Sequence, residues 1–222
     1  MTCYCIGRNY AEHAAELGNA VPDQPLIFAK PATALLQDGK PFELPEFSQD
    51  VHYETELVLR VSRRAQRVAA TEAWDYVDAL TIGVDFTARD LQSALKAKGQ
   101  PWEIAKGFDG SAPIGRFVPI PQALKNEGIA FEGRINGSSV QQGHTREMIF
   151  PLPVFMAYLT RFFTLMPGDL LFTGTPAGVG PVQAGDRFEG WLLEDETVKS
   201  AEKASEKQQK LLDFEILGHG QR

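Results

Sequence analysis

The chain has 222 residues, a formal net charge of −7, and 43% hydrophobic against 23% charged residues. That balance argues against nucleic acid as a partner, because such a role relies on a basic stripe to neutralise phosphates, and leaves small-molecule chemistry as the default. No apolar run reaches the roughly 20 residues of a membrane span, and the start lacks the basic-then-apolar form of a secretion signal, so a cytoplasmic protein is expected.

In chain order, residues 2–7 (TCYCIG) read as a short strand ending at glycine. Cys3 and Cys5 on one strand make a poor disulfide and a weak metal site, and are expected as buried thiols. A short helix follows in RNYAEHAAELG, stopped by Gly18. The proline-punctuated stretch 19–47 predicts strands and turns without a long helix. Residues 51–61 (VHYETELVLRV) predict a strand. Next come a helix capped by Thr71 with Glu72 in its first turn, a strand ending near Asp85, and a second helix entered through Thr87.

Asn136-Gly137 marks a hairpin within 129–143, and residues 151–166 predict one apolar helix ending before Pro167. Phe155, Tyr158, Phe162 and Phe163 recur there at helical spacing and read as core. Strands and glycine turns fill 170–193. Residues 194–210 are polar and mixed in charge, a solvated helix or a disordered arm, before the strand-like LLDFEIL. The whole predicts a β-rich α+β protein, with one catalytic domain over 1–193 and a charged C-terminal segment, a last strand or an extension, over 194–222.

Glu54 and Glu56 carry the clearest chemical signal. Alternate residues of a strand share a face, so two carboxylates would sit side by side at the edge of a core and repel each other unless a positive charge intervenes. Surface pairing with basic residues would satisfy them as well as a metal would. Asp85, a third acid at a strand end, shifts the balance toward a hard divalent cation such as Mg²⁺, Mn²⁺ or Ca²⁺. His52 shares the face by alternation. It reads either as part of an iron-binding H-x-E-x-E set or, preferred because two conveniently placed histidines are lacking, as a supporting neighbour outside the ligands.

Taken together, GRNYAEH, FAKP, HYETEL, GVDFTARDLQ, PWEIAKGFD, GHTREMIFP and PGDLLFTGTPAGVGP resemble, in order and spacing, the fumarylacetoacetate hydrolase family, and more narrowly its short acylpyruvase and oxaloacetate-decarboxylase-like members. The resemblance implies a mixed β-roll, usually in a homodimer, and Glu54, Glu56 and Asp85 as ligands of Mg²⁺ or Mn²⁺, with Ca²⁺ as a non-native occupant. It implies Lys106 beside the metal, Arg8, Arg89, Gln92 and Thr175 toward a 2-oxo acid substrate, and His13 with Glu16 as a water-activating dyad on a mobile lid.

The implied reaction is cleavage of a C–C bond in a small 2-oxo acid, foremost hydrolysis of an acylpyruvate to pyruvate and a carboxylate, with oxaloacetate decarboxylation beside it. Isomerases, hydratases and decarboxylases of aromatic catabolism are the enzyme alternatives, and a metal-stabilised binding protein without turnover is the non-enzyme one. Physical chemistry adds that residues 13 and 16, three apart on a helix, meet on one face, where a carboxylate fixes an imidazole's tautomer. The loop GTPAGVG lacks the G-K-[ST] ending of a phosphate loop and reads as a substrate-lining turn.

Overall fold

The computed structural model describes residues 1–37, 39–193 and 208–221. The chain opens with β1 (Cys3–Gly7), α1 (Ala11–Glu16) and β2 (Leu26–Lys30). A 3-10 turn (Ala32–Ala34) leads to β3 (Leu35–Leu36), β4 (Phe42–Glu43), β5 (Val51–Tyr53) and β6 (Thr55–Val61). After a second 3-10 segment (Ala70–Tyr76) come β7 (Val77–Val84), β8 (Thr87–Ala88), α2 (Arg89–Ala97) and α3 (Glu103–Lys106). Next are β9 (Ala112–Pro113), β10 (Val118–Pro119), α4 (Gln122–Asn126), β11 (Ala130–Ile135) and β12 (Ser138–His144). The third 3-10 turn (Thr145–Glu147) precedes α5 (Leu152–Leu159), β13 (Leu170–Phe172), β14 (Gly180–Pro181), β15 (Arg187–Leu193) and β16 (Gln208–Leu217). Many strands with few short helices make this the expected β-rich α+β fold.

Two sheets organise it, one ordered β10-β7-β6-β13-β1-β2 and the other β12-β11-β15-β16-β4. Strands β5, β8 and β14 form a small third sheet beside them. The central strands carry apolar runs because both faces are covered: in β6 every residue except Arg60 is buried. Leu57, Leu59, Leu80, Ile82, Phe131, Phe188 and Phe214 belong to one continuous core. The hairpin β11–β12 turns at Asn136 (φ 53°) and Gly137 (φ 79°), the left-handed pair that the sequence signal requires. Cys3 and Cys5 are buried free thiols, and burial pushes the Cys3 thiol up to about 12.

Several elements depart from the sequence expectation. The Thr71-capped helix is the 3-10 segment Ala70–Tyr76, with Ala69 at its N-cap and no side-chain cap. Ala73 is its one buried residue, so little apolar burial rewards a longer α-helix. Helix α2 begins after Ala88, because the Thr87 hydroxyl donates to the Asp85 carbonyl instead of capping.

Helix α5 stops at Leu159, short of Pro167. Thr160 Oγ1 donates to the Met156 carbonyl and accepts from Val68 N–H, while its own carbonyl accepts from Arg67 N–H, tying the chain to a neighbouring loop. Phe162 and Phe163 therefore leave the helix and are exposed, whereas Phe155 is core. At the C-terminus, β16 pairs antiparallel with β15 and parallel with β4, so LLDFEIL is a sheet strand. The helix-or-arm expectation for 194–210 falls mainly on 194–207, which lie outside the described residues; 208–210 begin β16.

Candidate active site and metal centre

The register of β6 against β7 builds the acidic cluster. Thr55 pairs with Val84 and Glu56 with Gly83, so Glu54 and Asp85 face each other just past the end of the ladder, where Asp85 N–H donates to the Glu54 carbonyl at 2.8 Å. Glu54, Glu56 and Asp85 are all buried, and one oxygen from each lies within 4.8 Å of the others.

Three cations answer them. Lys106, at the end of α3, places Nζ 2.8 Å from Glu54 Oε2 and 2.7 Å from Asp85 Oδ2. Arg89, at the start of α2, donates to Glu54 Oε1 at 2.7 Å and to Gln92 Oε1 at 2.6 Å. Lys30, fully buried at the end of β2, lies 2.7 Å from Asp85 Oδ1. Its Nζ also donates to Phe86 O, Ser111 O and Ser111 Oγ, which hold it in place beside Asp85 as an ion-pair partner.

Glu56 stands apart electrostatically. Its Oε2 accepts from Gly174 N–H at 2.7 Å, and no cation pairs with it among the described residues. Gly174 is at φ 92°, and a Cβ there would come 2.6 Å from Asn9 Cβ, so only glycine brings this N–H so near the cluster. Burial, then the charges of Asp85 and Glu54, raise the Glu56 carboxyl well above its usual range. Burial acts on Glu54 too, but Lys106, Arg89 and His13 overcome it and hold that carboxyl well below the usual range. Burial works against charged Lys106, yet Asp85 and Glu54 outweigh it and keep the ammonium protonated.

The residues fit a hard divalent cation. Three buried carboxylates converge, and among the described residues Asp85 Oδ1 accepts no hydrogen bond and no cation pairs with Glu56. An all-oxygen set suits Mg²⁺ or Mn²⁺. His52 is not one of the convergent residues; its Nε2 bonds Asp50 Oδ1 at 2.9 Å.

A narrow cavity of about 30 Å³ opens onto Glu54 and is lined by Arg8, His13, Arg89, Gln92 and Lys106. That is room for roughly one or two water molecules. A larger cavity, about 180 Å³, lies between Trp74, Leu124, Met148 and Leu152 and touches none of the three carboxylates. Thr175 is buried next to Gly174 and accepts from Gln141 Nε2 at 2.9 Å, but does not line the narrow cavity.

Helix α1 carries the dyad. His13 is buried, with Nδ1 3.4 Å from Glu16 Oε2, and both Glu16 oxygens accept from Gly178 N–H at 3.1 and 3.2 Å. Burial drives the His13 pKa below its ordinary value, so the ring is neutral at neutral pH. Asn9 anchors the approach to α1: its side chain donates to Phe150 O and Thr173 O and accepts from Phe150 N–H.

Sequence reasoning did not single out Lys30, Gln141, Asn19 or Lys96. Gln141 bridges the Thr55 backbone, between the two glutamates, to Thr175. Lys30 lay in the quoted FAKP motif, and a lysine inside an apolar strand was the available signal.

The family model described as Fumarylacetoacetate (FAA) hydrolase C-terminal matches residues 2–203. The chain belongs to the fumarylacetoacetate hydrolase family. It is 43% identical over 190 residues to a protein named mitochondrial oxaloacetate tautomerase fahd-1 of Caenorhabditis elegans, covering 86% of this chain and 89% of that one. It also resembles the fumarylpyruvate hydrolase of Pseudomonas aeruginosa solved in complex with Mn²⁺ and pyruvate, with a TM-score of 0.85, 33% identity, and 99% and 90% of the two chains covered. A fumarylacetoacetate isomerase/hydrolase candidate from Oleispira antarctica gives a TM-score of 0.87 at 35% identity, covering 97% and 93%. Among the described residues no helix is long and apolar enough to cross a membrane. One relative being named mitochondrial, membership of this family does not carry the expected cytoplasmic location with it.

Proposed function

We propose that the protein is a divalent-metal-dependent enzyme acting on a small 2-oxo dicarboxylic acid, with keto–enol tautomerisation of oxaloacetate as its leading reaction. The observation that carries this reading is the narrow cavity, in which neutral His13 and four cations, Arg8, Arg89, Lys96 and Lys106, surround Glu54, the one member of the carboxylate cluster that lines it. The tautomerase name of the C. elegans relative agrees with it.

Glu54, Glu56 and Asp85 would hold Mg²⁺ or Mn²⁺, which when bound supplies a Lewis acid that polarises the 2-keto oxygen of the substrate. Arg89, fixed by Glu54 and Gln92, orients the 2-oxo carboxylate. With Nδ1 turned to Glu16, His13 keeps Nε2 free to take a proton from C3 and return it to the keto oxygen, which interconverts the tautomers without loss of atoms. Lys106 remains charged and faces the oxygen that becomes negative on the way.

Hydrolysis of an acylpyruvate is the second reading, favoured by the same oriented histidine. His13 would take a proton from water, the hydroxide would add to the distal carbonyl, and rupture of the C3–C4 bond would yield a carboxylate and, after protonation at C3, pyruvate. The fumarylpyruvate hydrolase neighbour supports it. The test is a screen of purified protein with Mg²⁺ or Mn²⁺ against oxaloacetate, acetylpyruvate and fumarylpyruvate, following enol absorbance and identifying products. Faster oxaloacetate tautomerisation is expected. Unchanged turnover after chelation would defeat metal dependence, and exclusive pyruvate release from acylpyruvates would replace the first reading with the second.

A further inference from the structure

Two of the cations around the narrow cavity are already committed. Arg89 is held by Glu54 and Gln92, and Lys106 is shared between Glu54 and Asp85. Arg8 stacks over Trp102, its Cζ 6.0 Å from the ring centroid. Lys96 differs from all three. It follows Arg89 by seven residues and Gln92 by four along α2, so the three share one helix face, and all of them line the cavity. Among the described residues its one hydrogen bond goes to a neutral acceptor, Asn19 Oδ1, at 3.1 Å, and no carboxylate pairs with it.

We infer that Lys96 is a specificity-determining residue that reads the distal carboxylate of a 2-oxo diacid while remaining bonded to Asn19. An ammonium has three donors on a rotatable stem, so one serves Asn19 and two are available to a carboxylate. The surrounding charges favour an anion here. Lys96 is exposed at the cavity mouth; partial desolvation lowers its pKa and the charges of Arg8 and Arg89 lower it further, so an incoming carboxylate meets three cations on one side of the cavity.

Asn19 adds a second consequence. It lies just beyond α1, its N–H donating to Ala14 O at 2.8 Å, so the Lys96–Asn19 bond ties α2 to the segment that carries His13 and Glu16. A diacid seated on Lys96 therefore braces the dyad over its own reacting end, whereas a monoacid does not.

This inference rests on the diacid reading of the site, and its test uses unreactive ligands so that the two can fail separately. Malate and lactate share a 2-hydroxy acid head and differ in the distal carboxylate. Their dissociation constants are to be measured by calorimetry on Mn²⁺-loaded wild type, K96M and K96R. Wild type is expected to prefer malate. K96M should weaken malate by roughly tenfold, as for loss of a charge-assisted hydrogen bond, with lactate changed by less than about twofold, and K96R should recover most of the preference. No malate preference in wild type, an unchanged preference in K96M, or equal weakening of both ligands would overturn the role of Lys96. A malate preference that depends on Lys96, together with no turnover of oxaloacetate by wild type, would support the role and refute the proposed reaction.

Discussion

His13 and Glu16 meet at 3.4 Å, Nδ1 to Oε2, and the same carboxylate is fixed from the far end of the chain by the N–H of Gly178. A glutamate held at both ends sets the imidazole's orientation. His13→Ala should lower kcat by about 10²–10⁴-fold, the range for a lost general base, while leaving Mn²⁺ affinity within about twofold. Unchanged kcat would remove the dyad from the reaction.

Burial of His13 also fixes a pH dependence. Because its pKa lies below the ordinary 6.5, kcat/KM should be flat above that value and fall only on its acid side. The unfolded chain takes this proton first on acidification, so the stability contributed by neutral His13 is complete above about 6.5 and declines as pH drops toward the folded value. A kcat/KM limb centred above pH 7 would contradict the assignment.

Glu56 makes metal binding a proton exchange. With its pKa raised in the metal-free protein, a divalent cation must displace a proton, so Mn²⁺ affinity should climb with pH. The sign for stability is consistent: a raised carboxyl favours the metal-free fold at low pH and loses that contribution as pH rises through the folded value, where the cation takes over. Melting curves at pH 5.5 and 8 with and without Mn²⁺ should show the larger gain at pH 8; equal gains would count against it.

Lys30 supplies charge to Asp85 from a fully buried position. Lys30→Met breaks a buried ion pair and should cost about 3–5 kcal/mol in denaturant unfolding of the metal-free protein. Added Mn²⁺ should recover more stability in this variant than in wild type, since the cation then supplies the missing counter-charge. A neutral substitution would mean that Asp85 is balanced by Lys106 alone.

Asn9 is the test of the scaffold. Asn9→Ala leaves the buried or part-buried backbone groups of Phe150 and Thr173 without their partner, at a cost of about 3 kcal/mol. Urea midpoints of the metal-bound proteins check this, and a loss under about 0.5 kcal/mol would show that the chain re-pairs those groups locally.

The strand pattern of residues 51–61, the Asn136-Gly137 turn and the buried cysteines were legible because each is a local matter of alternation, left-handed backbone or burial. The Thr71 cap and the length of α5 were not. Thr71 stands in a segment whose one buried residue is Ala73, and Thr160 is tied to Val68 and Arg67 by tertiary bonds that override the propensity of α5. Lys96 and Asn19 were illegible for the same reason, since neither forms a motif until α2 lies against the end of α1.

By itself the sequence determined which side chains could do chemistry: alternation put Glu54 and Glu56 on one face, and helical spacing put His13 beside Glu16. Only the tertiary structure decided how charge is shared among them. The β6–β7 register carries Asp85 to Glu54, and Lys30, Arg89 and Lys106 arrive from three other elements to balance those two acids, while among the described residues no cation pairs with Glu56. Electrostatic energy depends on distances of a few ångströms between residues far apart in the chain, and those distances exist only once the strands have paired.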